Sequence, residues 1–305
     1  MKQFLFSLFL VGFLVGCQPN ENGGIATPNQ PTYRVVAVSY PLKFLAEKIA
    51  THPIVVEFPA ADADDPRNWN PQIDDIAAMQ KADLILTNGP GIDYANWLIK
   101  VTLPDSRVVK TSDGLALSDF IKVDGPKIVH SHGPEGEHSH PFMVAYSWLS
   151  PAIALKQTEF IAKKMSEKYP DQAAGINDNL KLVREQLDEL TQALADVDSS
   201  GVTFTSVTPH TRFLTKSAGI SEFEAKWNVV PDGDNEQDIL SAEDLPSSSV
   251  ILATEQPNQN LAQFAKDNNH QVVVIDLIDD SQNGNYFEVM QMNIKQLRQA
   301  VEQAK

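Results

Sequence analysis

The sequence predicts an α/β protein with two lobes, each a mostly parallel sheet flanked by helices, bridged by one long helix. Short β-branched runs alternate with helical patterns over residues 33–110, and the same alternation returns over residues 199–305. A region with helical periodicity and no strand pattern separates these two halves. Strands that alternate with helices are typical of βαβ units, which build parallel sheets with helices on their faces.

The first half, residues 33–170, is the predicted N-terminal lobe. Two helical segments, PLKFLAEKIA and IDDIAAMQKA, lie between apolar runs with strand character. These runs are VVAVSY (35–40), IVVEFP (54–59), DLILTN (83–88) and RVVK (107–110). Their short length and β-branched composition are typical of strands buried in a parallel sheet.

One long helix is predicted over residues 171–198. Its apolar residues recur at alternating steps of three and four: Leu180, Val183, Leu187, Leu190, Leu194 and Val197. This spacing places them on one face of a helix. The stripe is too short for a sustained coiled-coil seam, so we expect a helix that packs along both lobes.

The second half, residues 199–305, is the predicted C-terminal lobe. Its strands are VTFTSV (202–207), VILATE (250–255) and QVVVIDL (271–277). One apolar face of a last helix over residues 286–303 is formed by Phe287, Met290, Ile294, Leu297 and Val301. Two sheets in one chain predict a cleft between them, and ligands of parallel sheets gather outside the carboxyl ends of the strands.

The N-terminal segment predicts export and a lipid anchor. The apolar run from Phe4 to Val15 is too short to span a bilayer and is typical of a signal peptide. The following LVGC resembles the bacterial lipobox, in which the cysteine becomes the lipidated first residue. We therefore expect residues 1–17 to be a lipoprotein signal peptide, with Cys17 as the lipidated residue. Residues 18–32, rich in Asn, Pro and Gly, are a predicted flexible tether.

This anchor predicts a periplasmic or cell-surface location on a bacterial membrane, with the lipid bilayer contacted through Cys17. Because Cys17 is the only cysteine, the chain forms no internal disulfide and no thiolate metal site. The formal net charge of −16 argues against nucleic acid as a partner, since phosphate contacts need clustered Lys and Arg. The sequence contains no nucleophile elbow, His-Glu-x-x-His, P-loop or dinucleotide fingerprint, so we do not expect an enzyme.

Three polar side chains at predicted strand ends are candidate ligands for a divalent cation. His210 follows VTFTSV, Glu255 ends VILATE, and Asp276 lies near the end of QVVVIDL. Imidazole and carboxylate groups are common ligands of divalent metals, and these strand ends are expected to face the cleft.

A second cluster of candidate ligands is the stretch HSHGPEGEHSHPF. It contains His130, His132, His138 and His140 among Ser, Glu, Gly and Pro residues. Neutral imidazoles at these separations chelate zinc, and the Gly and Pro residues favour a mobile insertion without fixed geometry. Residues 130–140 are therefore predicted to be an accessory metal loop; a merely solvated loop is the alternative.

Several motifs together resemble a known family. They are DPRNWNPQIDDIAAMQKADLILTNG, the His-rich loop followed by YSWLSP, and VTPH, ATEQP and VVVIDL. In these motifs the chain resembles the metal-specific solute-binding lipoproteins of bacterial ABC importers, known as cluster A-I. The resemblance implies two α/β lobes bridged by a rigid helix, and a monomer that delivers a divalent metal to an ABC permease. His-rich loops are commoner in the zinc receptors, which favours Zn²⁺ over Mn²⁺.

Two of the four metal-ligand positions that the resemblance implies are matched, by His210 and Asp276. Arg67 and Tyr146 stand where the other two ligands, both histidines, are expected. A guanidinium has no free lone pair and stays protonated, so Arg67 is not a metal ligand. One hypothesis is that Arg67 occupies the cation's position and bridges to Asp276 and Glu255.

The other hypothesis is that Arg67 points outward, and His210, Asp276 and Glu255 hold the metal with water or a loop histidine. Two functions follow from these hypotheses. In the first, the protein captures a divalent metal, zinc before manganese, between its lobes. In the alternative, the cleft no longer chelates metal, and the protein binds another small ligand or uses only the His-rich loop.

Overall fold

A four-stranded and a three-stranded parallel sheet form the centres of two lobes. The computed structural model describes residues 32–90, 92–131, 137–223 and 245–305, without the side chains of residues 123–131 and 137–143. Two parallel sheets flanked by helices confirm the predicted fold class. The predicted lobe boundaries at residues 170 and 198 stay predictions.

The N-terminal sheet has the strand order β2-β1-β3-β4. Its elements are β1 (Tyr33–Ala37), α1 (Tyr40–Ile49), β2 (Ile54–Glu57), α2 (Ile73–Gln80), β3 (Leu84–Thr87) and β4 (Val108–Lys110). The first strand ends before the predicted Tyr40, because Tyr40 already begins α1. Pro41 lies in the first turn of that helix, where its fixed φ favours helix initiation.

The C-terminal sheet has the strand order β7-β8-β9. Its elements are β7 (Phe204–Ser206), α5 (Arg212–Ser217), β8 (Val250–Ala253), α6 (Gln259–Asp267), β9 (Gln271–Val274) and α7 (Tyr286–Ala304). A capping box starts α7: Asn285 accepts from the Glu288 backbone, and Glu288 accepts from the Asn285 backbone. The apolar face of α7 is buried as predicted.

Two long helices, α3 (Pro151–Lys168) and α4 (Ala173–Ala195), lie between the sheets in the chain. The Asn179 side chain of α4 donates to the Ala50 carbonyl at the end of α1, at 3.1 Å. At the other end of α4, the Ala193 carbonyl accepts from Arg298 of α7 at 2.7 Å. The helix thus contacts elements of both lobes, and its predicted apolar stripe is buried at Val183, Leu187, Leu190 and Leu194.

The His-rich stretch is only partly described. Strands β5 (Lys122–Ser131) and β6 (Glu137–Met143) pair antiparallel, with His130 opposite His138 in the backbone register. The sequence predicted an insertion without fixed geometry, whereas the backbone on both flanks is paired. His132 lies outside the described residues.

The predicted signal peptide, Cys17 and nearly all of the tether also lie outside the described residues, which begin at residue 32. Among the helices that the structure does describe, none combines the length and the hydrophobicity needed to cross a bilayer.

Gly89 lies just after β3, at a point where a side chain has no room. Its φ is +109°, and a Cβ placed there would lie 1.8 Å from the Ser112 hydroxyl oxygen. The Gly89 carbonyl accepts from the Ile92 backbone and its N–H donates to Asp93, so this turn fixes the chain leading to Tyr94. Gly201 also has a positive φ, +77°, but a Cβ placed there would meet no other described atom within 4 Å.

We expect Gly89→Ala to destabilise the protein more than Gly201→Ala. The left-handed backbone disfavours any Cβ by about 1–2 kcal/mol, and the clash with Ser112 adds about 1–3 kcal/mol at Gly89 alone. Urea unfolding of both variants measures the two free energies. Equal losses would contradict the close approach at Ser112.

Candidate functional site

An aromatic cluster lines the contact between the lobes. The rings of Tyr94, Tyr146 and Trp148 pack edge to face, with centroids 5.3–5.8 Å apart. The His210 ring lies 4.7 Å from the Tyr146 ring. Since Tyr146 belongs to the N-terminal half and His210 to the C-terminal half, this contact joins the two. Arg67, His210 and Asp279 lie next to this cluster. We use the term interlobe site for these three residues together with Tyr94 and Tyr146.

His210 reaches the site from the carboxyl end of β7. Pro209–Thr211 form a short 3-10 turn, and the Thr208 hydroxyl accepts from the His210 backbone at 3.4 Å. The side chain is buried, and Nδ1 has no hydrogen-bond partner among the described residues. Burial, and then the positive charge of Arg67, lower the pKa of His210 to about 4. The imidazole is therefore neutral at pH 7, with a lone pair free to bind a cation.

Arg67 enters the site from the loop after β2. Its backbone N–H donates to Asp65 at 3.0 Å, and its carbonyl accepts from the Asn96 backbone at 3.0 Å. The guanidinium carbon lies 5.9 Å from the centroid of the Tyr146 ring, within range of a cation–π contact. Its Nε is buried without a hydrogen-bond partner in the part of the chain that the structure describes.

Asp276 and Glu255 were the predicted partners of Arg67, but its positive charge influences other residues. Within the described ranges no ion pair joins Arg67 to Asp276 or Glu255. The guanidinium instead lowers the pKa values of His210 and Asp279. The side chain thus points into the interlobe site, and its electrostatic partner there is Asp279.

Two aspartates follow β9 and have different environments. Both carboxylate oxygens of Asp276 accept hydrogen bonds at 2.7 Å, from the Ile278 backbone and from Asn283. Oδ1 of Asp279 is buried and has no hydrogen-bond partner among the described residues. Burial raises the pKa of Asp279 to about 7, although Arg67 opposes that rise.

The remaining predicted ligands are not brought to this site. Glu255 is exposed after β8. Among the described residues no group of three or more His, Cys, Asp or Glu side chains is close enough to hold a metal. His210, Asp276 and Glu255 therefore do not form one ligand set here, and their metal-binding roles stay predictions. The side chains of His130, His138 and His140 are not described, so the accessory loop stays a prediction as well.

Two residues of the site were missed from the sequence. Tyr94 follows the turn at Gly89, and its buried hydroxyl faces the Asp279 carboxylate. Burial and the nearby Asp279 charge raise the pKa of Tyr94. Asp279 belongs to the run DLIDD, in which Asp276 was selected by family resemblance. The second acidic position in that run was the available signal.

Comparison with known proteins places these observations in a family. The model of a family described as zinc-uptake complex component A, periplasmic (ZnuA), matches residues 35–300. The zinc-binding lipoprotein AdcA of Streptococcus pneumoniae is 28% identical over 312 residues, which cover 95% of this chain and 59% of AdcA. The chain thus spans about three fifths of the length of that relative. The manganese ABC transporter substrate-binding lipoprotein PsaA of the same species is 24% identical over 230 residues, covering 74% of this chain and 69% of PsaA.

A solved structure shows the same fold. The Zn(II)-bound ZnuA-like domain of Streptococcus pneumoniae AdcA matches with a TM-score of 0.66 and 20% identity, covering 89% of this chain and 100% of that domain. At this identity the likeness supports the two-lobed architecture and no more.

We expect His210 to contribute a loss of native-state stability as the pH falls from about 6.5 to about 4. In this window the unfolded chain binds a proton on the imidazole and the native chain does not, so acid favours unfolding by up to about 3 kcal/mol. Asp279 acts in the opposite direction between about pH 4 and pH 7, because its raised pKa makes the native state bind the proton.

Urea unfolding of the native protein and of His210→Gln at pH 7 and pH 4.5 isolates the histidine contribution. The variant should lose less stability on acidification than the native protein. The same loss in both proteins would contradict a buried, neutral His210.

Proposed function

Because the chain belongs to the ZnuA family, we propose that it is the extracytoplasmic solute-binding protein of a bacterial ABC importer, capturing a divalent metal between its lobes. Members of this family bind substrates for transporters, and the chain is therefore a binding protein and not an enzyme. The structural observation that carries the proposal is His210, which is buried between the lobes with an unpaired Nδ1.

The donors at the interlobe site favour cation capture over the alternative in which only the His-rich loop binds metal. A neutral imidazole and an unpaired carboxylate oxygen are ligand types that Zn²⁺ accepts. Arg67 opposes a cation electrostatically, but it makes no ion pair among the described residues that would hold it in place. The site therefore retains donors for a cation that moves the guanidinium aside.

We favour Zn²⁺ over Mn²⁺ as the captured ion. Imidazole nitrogen suits zinc, whereas manganese prefers sites dominated by oxygen ligands. The additional histidines at positions 130, 132, 138 and 140 point the same way. The relatives include both a zinc-binding and a manganese lipoprotein, so this choice depends on the residues of this chain.

We also propose that Cys17 anchors the chain to the bacterial membrane, on its periplasmic or outer face. The cysteine directly follows the apolar run of the predicted signal peptide, which supports lipidation after export. A monomer held there by residues 18–32 would deliver its metal to an ABC permease in the same membrane system.

Zinc titration by calorimetry tests capture between the lobes. In the full chain carrying His130→Asn, His132→Asn, His138→Asn and His140→Asn, we expect one Zn²⁺ per molecule. Adding His210→Asn should weaken this binding by about tenfold or more, because a ligand is lost. Absence of zinc binding in the loop variant would contradict cleft capture and leave the loop as the zinc site.

Metabolic labelling with a fatty acid analogue tests the anchor. We expect label on the wild-type protein expressed in a bacterial host and none on Cys17→Ala, with the variant no longer in the membrane fraction. Ser7→Ala, a substitution in the apolar run, is the control and should leave labelling unchanged. Membrane retention of unlabelled Cys17→Ala would contradict the lipid anchor.

A further inference from the structure

Asp279 is a half-buried acid with one buried carboxylate oxygen, and the family resemblance does not explain its position. Its Oδ1 has no hydrogen-bond partner among the described residues, although buried carboxylates are normally paired. Two further buried atoms without a partner among the described residues, Arg67 Nε and His210 Nδ1, belong to the same interlobe site, and the Tyr94 hydroxyl faces Asp279. Native interiors seldom leave such atoms unpaired, so a cluster of them indicates a place for a polar guest.

Asp276 already serves the structure of its own loop. One carboxylate oxygen accepts from the Ile278 backbone and the other from Asn283. The Asn293 side chain holds the Asp276 backbone on both sides, accepting from its N–H at 3.0 Å and donating to its carbonyl at 2.8 Å. These bonds explain Asp276 as a positioning residue for the loop.

The loop turns sharply between the two aspartates. Ile278 has a φ of +62°, a left-handed conformation that is rare for a β-branched residue, and its side chain is buried. The turn is held by the Asp276 carboxylate on the Ile278 N–H, and by the Trp148 indole on the Leu277 carbonyl at 2.8 Å. Asp279 follows directly after this turn and acts electrostatically on Arg67 and Tyr94. The strained turn thus presents Asp279 to the interlobe site.

We propose that Asp279, and not Asp276, is the carboxylate that binds the captured cation, and that Arg67 is the internal positive charge that this cation displaces. The proposal rests on the proposed function. A cation between Asp279 and His210 would meet an imidazole nitrogen without a hydrogen-bond partner among the described residues, and a carboxylate that faces the Tyr94 hydroxyl. An imidazole nitrogen and a carboxylate oxygen are both ligands that a divalent cation accepts, which favours a cation over an anion between His210 and Asp279.

The surroundings of Arg67 offer a place for the displaced guanidinium. Asp62 and Asp64 lie exposed on the same loop, a few residues before Arg67. Asp65 holds the loop itself, accepting from the backbones of Arg67 and Asn68. A guanidinium that left the site would therefore remain among negative charges, and the loop backbone would not need to unfold.

Zinc calorimetry on the full chain with all four loop histidines replaced by Asn tests the proposal. In this background we expect Asp279→Asn to weaken zinc binding by about tenfold or more, and Asp276→Asn to weaken it less. Glu302→Gln, which removes an exposed carboxylate in the last turn of α7, is the control and should leave the affinity unchanged. X-ray absorption of the zinc-loaded proteins should show one oxygen ligand fewer in Asp279→Asn.

Arg67→Met tests the displaced charge, since methionine keeps an apolar stem against Tyr146 and removes the guanidinium. We expect zinc to bind about tenfold more tightly, because the cation no longer competes with a positive charge. Lys81→Met, which removes an exposed charge from the same lobe, should have no effect. Urea unfolding of every variant checks that each one is folded.

The outcomes separate this proposal from the proposed function. Zinc binding that survives Asp279→Asn and is lost in Asp276→Asn would overturn the proposal and leave metal capture standing. Zinc binding that appears only with Arg67→Met, and requires Asp279, would support Asp279 as the ligand but contradict both displacement of Arg67 by the cation and capture by the native cleft. No zinc binding with or without Arg67 would overturn both.

Discussion

The hydrogen bonds of Trp148 determine how the two lobes meet. Its indole donates to the Leu277 carbonyl at 2.8 Å, and its own carbonyl accepts from the Tyr286 hydroxyl at 2.7 Å. Each bond contributes only about 1 kcal/mol net, but an unpaired indole or phenol in this interior would be more costly than that. The bonds fix the ring against which Tyr94 and Tyr146 pack. The geometry of the interlobe site therefore depends on this one tryptophan.

Charge balance imposes a second constraint on the same interior. Arg67 lowers the pKa of both His210 and Asp279, while burial raises that of Asp279. A buried positive charge without a carboxylate nearby would be strongly unfavourable, and so would a buried carboxylate without a cation. Arg67 and Asp279 therefore lower the free-energy cost of removing each other's charge from water, although they do not form a direct ion pair among the described residues. On the proposed function, the arriving metal takes over the role of Arg67 toward Asp279.

Much of the fold can be predicted from local sequence patterns, whereas the candidate site can be predicted less completely. Parallel strands and the stripe of α4 are encoded by short-range periodicity, which is why their existence was predicted. The sequence also predicted that His210 follows the carboxyl end of a strand, and in the structure His210 follows β7. The roles of Asp276 and Asp279 depend on a left-handed turn at Ile278, and no residue pattern announces that conformation in an isoleucine. The hairpin of β5 and β6 was missed because Gly and Pro favoured a loop there.

Arg67 and Tyr146, the two positions at which the resemblance predicts a departure from the family pattern, are coupled through one ring. Tyr146 lies between Arg67 and His210, 5.9 Å from the guanidinium carbon and 4.7 Å from the imidazole centroid. A histidine at position 146 would place a second imidazole beside Arg67 and would offer the guanidinium a weaker cation–π surface than a phenol ring. Substitution of Tyr146 alone toward the family pattern would thus leave the positive charge of Arg67 facing a metal ligand. Arg67 and Tyr146 are therefore best understood as one physical unit, in which the aromatic ring makes an internal cation compatible with the proposed metal site.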